Sequence, residues 1–106
     1  MSTADLAGFE ETYRRHVALV QAGDLKSVLA DMDPAVLPTV FEGVSTPRDA
    51  VTGTEIRAAR LEGERAVGEC VYTTDGGVIG LRSGWRHDGE RWLADALDNF
   101  EAGASS

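Results

Sequence analysis

A chain of 106 residues with 42% hydrophobic content suits a single domain, long enough to bury roughly two thirds of the surface its unfolded form exposes. Ten Lys and Arg against eighteen Asp and Glu leave a net charge of −8, which argues against nucleic acid and anionic membranes as partners, since phosphates need cationic side chains. The lone Cys70 excludes an intramolecular disulfide, and no apolar run approaches the ~20 residues of a membrane span.

The acidic start lacks a signal peptide's basic region and apolar core, so a cytoplasmic protein is expected. Residues 3–22 read as an amphipathic helix, capped by Thr3 or Ser2, with Asp5 in its first turn and Gly23 as its stop. Leu6, Phe9, Tyr13, Val17 and Val20 recur at three- and four-residue steps and form its apolar stripe. His16 sits at the edge of that stripe. It reads as a structural histidine before a catalytic one, because no carboxylate lies at a helical spacing that would orient it.

Asp24 caps a second, short helix whose apolar side is Leu25, Val28, Leu29 and Met32, and Pro34 is expected to end it. Residues 35–44 are apolar and interrupted by Pro38, which fits an edge strand or an extended cover segment. Ser45 to Ala50 reads as a loop, and the small, polar residues 102–106 read as a frayed tail.

Residues 52–100 read as four consecutive antiparallel strands with turns at Glu62-Gly63-Glu64, Asp75-Gly76-Gly77 and Asp88-Gly89. Asp-Gly suits a type I′ turn, which needs positive φ at both central positions. A two-residue turn at Asp88-Gly89 pairs Trp85 with Trp92, Ser83 with Ala94, Leu81 with Ala96 and Ile79 with Asp98. One at Asp75-Gly76 places Tyr72 by Ile79, Cys70 by Leu81, Gly68 by Ser83 and Ala66 by Trp85. One at either Glu62-Gly63 or Gly63-Glu64 adds Leu61, Ala59, Arg57 and Glu55 to the same face. That Trp-bearing face runs from a bulky row (Leu61, Ala66, Trp85, Trp92) through a nearly bare one (Ala59, Gly68, Ser83, Ala94) to polar residues at the far end. The gradient is that of a pocket with a blocked end, a hollow and a polar rim. The opposite face carries Val67, Val71, Val78, Leu93 and Leu97 around a row of alternating charge, Glu69, Arg82 and Asp95. An apolar field of this kind is expected to bind a second copy of the chain.

Motifs for metal, phosphate or nucleophilic chemistry are absent. There is one Cys and two His in all, a lone Asp31/Asp33 pair is weak as a metal motif, and Ser83 has no nucleophile elbow or paired His. No cofactor is expected, and Cys70 reads as core. The candidate reacting groups are Asp98, a carboxylate placed on an apolar face, and Tyr72 in the same row. A partly dehydrated carboxyl suits a general acid or base, and a tyrosine hydroxyl can donate to a developing oxyanion. Around them Arg57, Glu55, Trp85, Trp92, Ser83, Tyr13 and His16 would line a ligand site. The competing reading leaves Asp98 at the strand's open end, bonded to Arg57 or water.

The long first helix, Ala-Gly-Asp-Leu (22–25) before a second helix, and the closing meander with Asp-Gly-Glu-Arg-Trp-Leu-Ala-Asp (88–95) together resemble the nuclear transport factor 2-like superfamily, in particular its SnoaL-like and ketosteroid-isomerase-like members. The resemblance implies a cone-shaped, cystatin-like α+β fold in which helices and a curved antiparallel sheet enclose a pocket for a small, mostly apolar molecule. It also implies homodimers through the outer sheet face and, where there is chemistry, acid–base isomerisation or cyclisation of polycyclic or polyketide-like ligands. The chain departs from those members at residues 34–51, which are shorter here. The alternatives are a non-catalytic binding domain, and a dimeric interaction module whose cone is filled by its own side chains.

Overall fold

The computed structural model describes residues 5–47 and 50–100, so Ser2, Thr3 and the 102–106 tail lie outside the described residues. Two helices, α1 (Leu6–Ala22) and α2 (Leu25–Ala30), precede an antiparallel sheet of β1 (Val51–Glu62), β2 (Arg65–Thr74), β3 (Gly77–His87) and β4 (Trp92–Phe100) in sequential order. The class is α+β, with both helices and an open four-stranded sheet. No helix among the described residues is long and apolar enough to cross a membrane.

The cap of α1 lies two residues beyond Thr3 in the sequence. Asp5 takes the N-cap role, its carboxylate accepting the Gly8 N–H at 2.8 Å, an interaction that contributes about 1 kcal/mol. Gly23 closes the helix at φ 75°, a left-handed conformation that frees the Gly23 and Asp24 N–H groups to bond Val20 and Leu19 carbonyls. Asp24 caps α2 as expected, accepting from Ser27 N–H, but α2 stops at Ala30 rather than running to Pro34.

Residues 34–43 form neither a strand nor an extended segment. Their N–H groups are spent locally, Val36 on Asp33, Thr39 and Val40 on Val36 and Glu42 on Thr39, so a succession of tight turns replaces any ladder. Pro34 and Pro38 have no N–H to give to a ladder. This strap is tied to β4 at two places. Asp33 N–H bonds the Ala94 carbonyl and Ala94 N–H bonds Asp31, a one-residue parallel bridge at Met32. Farther along, the Asn99 amide mimics a strand, accepting from Ser45 N–H at 2.7 Å and donating to the Ser45 carbonyl at 2.9 Å. The strap thus covers part of an edge that would otherwise be open to pairing.

The β2–β3 register is as expected throughout, from Thr74 opposite Gly77 to Ala66 opposite Trp85. The turn geometry differs, because no described residue other than glycine has positive φ, so none of the three turns is type I′. In β1–β2 the expected pairs hold from Leu61–Ala66 to Ala59–Gly68. A bulge at Arg57 then moves Ile56 opposite Cys70 and Thr54 opposite Tyr72. Arg57 and Glu55 are therefore not in those inner rows; they form an ion pair with each other.

The β3–β4 hairpin is the largest departure. Its loop has four residues, because the Asp88 carboxylate accepts both the Glu90 and Arg91 N–H groups at 2.9 Å and holds the chain in a wider turn. His87 pairs with Trp92 and Trp85 with Ala94, so the two tryptophans share a face without being opposite partners. A second irregularity, between Gly84 and Trp85, leaves Asp95 without a pairing partner and exchanges the faces beyond it. Leu97 and Asn99 turn to the Trp face, while Ala96 and Asp98 turn away. The exchange is the energetically favoured one, since it packs a half-buried leucine against the core and leaves a carboxylate in water.

Helix α1 lies on the Trp face. Phe9, wholly buried, sets its ring edge-on to Trp85 at 5.9 Å and to Trp92 at 5.3 Å. Tyr13 stacks on Phe9 and covers Gly68 so closely that a Cβ there would come within 2.7 Å of Tyr13 Cε2 and closer to two other ring carbons. The bare row Ala59, Gly68, Ser83, Ala94 is thus not a hollow. The Tyr13 ring occupies it.

Candidate functional site

The expected reacting pair is not brought together. Asp98 stands on the outer face, its side chain 62% exposed, bonded to Arg82 at 3.3 Å. Tyr72 is on the inner face, almost wholly buried. Burial pushes its hydroxyl far above the ordinary tyrosine range, with Cys70 and Tyr13 adding to the shift, and the Cys70 thiol is its hydrogen-bond partner. Burial likewise raises Tyr13 and Cys70. Ser83 accepts the Trp85 indole N–H at 2.8 Å and bonds the Tyr13 hydroxyl. These polar groups satisfy one another inside the core. Among the described residues, no buried side-chain N or O lacks a partner.

The outer face carries a ladder of ion pairs rather than an apolar field. Glu62 meets Arg60 (2.8 Å), Arg60 meets Glu69 (3.8 Å), Glu69 meets Arg82 (2.8 Å) and Arg82 meets Asp98, so the chain of charges crosses all four strands. The expected row of Glu69, Arg82 and Asp95 is met in its first two members. The bulge substitutes Asp98 for Asp95, which pairs with Arg65 instead. Of the five apolar residues expected here, Leu97 is on the other face, and Val71 and Leu93 are already buried within the chain. Both helices cover the Trp face, so this face is free of them.

A different pair emerges around α1. His16 is 8% exposed and its Nδ1 lies 3.0 Å from Asp31 Oδ2, with Asp31 itself 6% exposed. Arg15, at the surface, approaches the other Asp31 oxygen at 3.7 Å. The Trp85 ring stands edge-to-face with the imidazole at 5.0 Å. Asp31 lies at no helical spacing from His16 on α1. The available signal was the chain reversal: His16 lies seven residues before Gly23 and Asp31 seven after Asp24, so the two meet across the helical hairpin. Asp33 takes a separate path, accepting from Arg86 at 2.9 Å and from Ala35 N–H. The Arg86 guanidinium, then the Ala35 N–H, hold its carboxyl below the usual aspartate range. Asp31 and Asp33 therefore serve different partners, and no group of three metal-ligating side chains occurs among the described residues.

His16 borders a groove of about 120 Å³ between α1, α2, the strap and the sheet. Val20, Leu29, Met32, Phe41, Leu81 and Leu97 make most of its wall apolar, and His16 and Thr46 are its polar side chains. Leu81 and Leu97 reach it from β3 and β4, and Leu97 does so only because of the Asp95 bulge. At the mouth Leu25, Leu29 and Phe41 are 70%, 42% and 37% exposed, an apolar rim. Comparisons of the chain with family models, curated proteins and solved structures return no match.

Proposed function

We propose that this chain is a binding domain for a small apolar molecule, of the nuclear transport factor 2-like kind, with its site in the groove beside His16. The observation that carries the reading is an apolar recess with an exposed apolar rim and one buried polar group in its wall, the usual composition of a ligand site. Its volume is well below the roughly 300–1,000 Å³ of drug-sized pockets, which favours a molecule much smaller than a polycyclic one. Tyr13 over Gly68 supports the same shift, since the central hollow in which a larger ligand would lie is filled. Acid–base chemistry by Asp98 and Tyr72 draws no support from their placement on opposite faces. Chemical-shift mapping with a panel of small apolar fragments tests the site. Perturbations at Val20, Leu81 and Leu97 are expected, and their absence across the panel, or their confinement to other surfaces, would refute it.

A second reading is a non-catalytic module that pairs with a second copy through the outer face. Val78, at 52% exposure, and the half-buried Val67 favour it, while the self-compensated ion ladder disfavours it. Light scattering at tens of micromolar with Val78→Glu decides the point: a dimeric mass lost in the variant supports pairing, and a monomer in both removes it.

A further inference from the structure

His16 has a chemical polarity that follows from its neighbours. Asp31 Oδ2 can only accept, so Nδ1 carries the hydrogen that joins them. In the neutral ring Nε2 is then a bare acceptor. The described contacts of the imidazole are Asp31 and the Trp85 ring, neither of which gives Nε2 a hydrogen-bond partner. Because no buried side-chain nitrogen among the described residues is left unsatisfied, Nε2 retains accessible surface, and His16 lines the groove. Apart from the Thr46 hydroxyl, the rest of the groove's side-chain lining is apolar. An occupant without a hydrogen-bond donor would leave Nε2 desolvated and unpaired, whereas one with a donor would satisfy it. The volume is close to the about 150 Å³ of an engineered apolar cavity in another protein that holds one benzene ring.

Building on the groove reading above, we infer that the ligand is of single-ring size and carries one weakly acidic O–H, a phenol or an enol, which it donates to His16 Nε2. Asp31 is the positioning residue, acting through the imidazole by holding its tautomer. The ring faces Val20, Leu81 and Leu97, and the hydroxyl faces His16.

The test compares para-fluorophenol with para-fluorotoluene, which has the same ring and no donor, and with para-fluoroanisole, which has only an acceptor. Fluorine NMR titration of the full chain gives the three affinities. In His16→Phe the ratio of fluorophenol to fluorotoluene affinity is expected to fall about tenfold, with fluorotoluene binding retained. In the unaltered chain the His16 Nε2 nitrogen resonance moves upfield on adding fluorophenol and stays in place with fluorotoluene. That measurement needs no variant, so it stands if His16→Phe does not fold. Asp31→Asn, which can present either amide group to Nδ1, lowers the same ratio. Fluorotoluene binding as well as fluorophenol, with no Nε2 response, overturns this inference and leaves the groove reading intact. A preference for fluoroanisole overturns it too, since His16 would then be the donor. If none of the three binds, the groove reading and this inference fall together.

Discussion

The two faces of the sheet solve the same problem by opposite means. On the inner face Phe9, Tyr13, Trp85 and Trp92 exclude water and lock polar groups into mutual bonds; on the outer face arginines and carboxylates pair across all four strands in contact with solvent. Stability should therefore reside in the inner face and depend little on salt. The outer face should add little and respond to ionic strength. A site that must pick out an uncharged molecule has to sit where water is already excluded, which is why the groove opens from the inner layer beside His16.

The inner face should be most sensitive at Phe9. Phe9→Ala removes the ring that touches both tryptophans and should cost about 3–5 kcal/mol of unfolding free energy in urea melts. A loss below 1 kcal/mol would mean that the aromatic cluster is not the centre of the core. Gly68→Ala tests the filled hollow: its methyl group overlaps the Tyr13 ring, so a cost of about 1–3 kcal/mol is expected. In the double variant with Tyr13→Ala the two costs should not add, because removing the ring makes room for the methyl.

Asp33 joins the strap to β3 through Arg86 and gives the comparison a pH axis. Its folded pKa is lowered, first by the Arg86 hydrogen bond, so the native state binds this proton less readily than the unfolded state does. The stabilisation is present above the ordinary aspartate value of about 3.9 and is lost as pH falls through the lower folded value. Acid titration of stability should be shallower in Asp33→Asn than in the unaltered chain; parallel curves would deny the linkage. The smallest effect is expected at the outer ladder, where Arg82→Ala should cost about 0.2–1 kcal/mol and the difference should shrink in molar salt. A larger, salt-independent loss would place Arg82 in the packing rather than in the charge network.

Local chemistry was legible wherever one residue decides one conformation. Gly23 after an amphipathic run, Asp24 before the next helix, and the short hairpin turn at 75–76 follow from backbone permissiveness and side-chain capping, and the register that turn implies holds along all of β2–β3. The readings failed where a side chain chose between two local solutions. Asp88 widened the last turn by binding two N–H groups, and bulges at Arg57 and Asp95 changed faces beyond them.

The order of two helices and four antiparallel strands, the stripe on α1 and the inner positions near Trp85 were thus determined by the sequence alone, because periodicity and turn residues act over a few neighbours. Tertiary structure decided the rest. Leu97 could pack against the core and Asp98 stay hydrated only by breaking the period-two rule at Asp95, a choice that depends on what packs against β4. Tyr13 fills the space over Gly68 because α1 docks at one height on the sheet. His16 acquires Asp31 because the helical hairpin folds back on itself, joining residues fifteen apart that no local spacing relates.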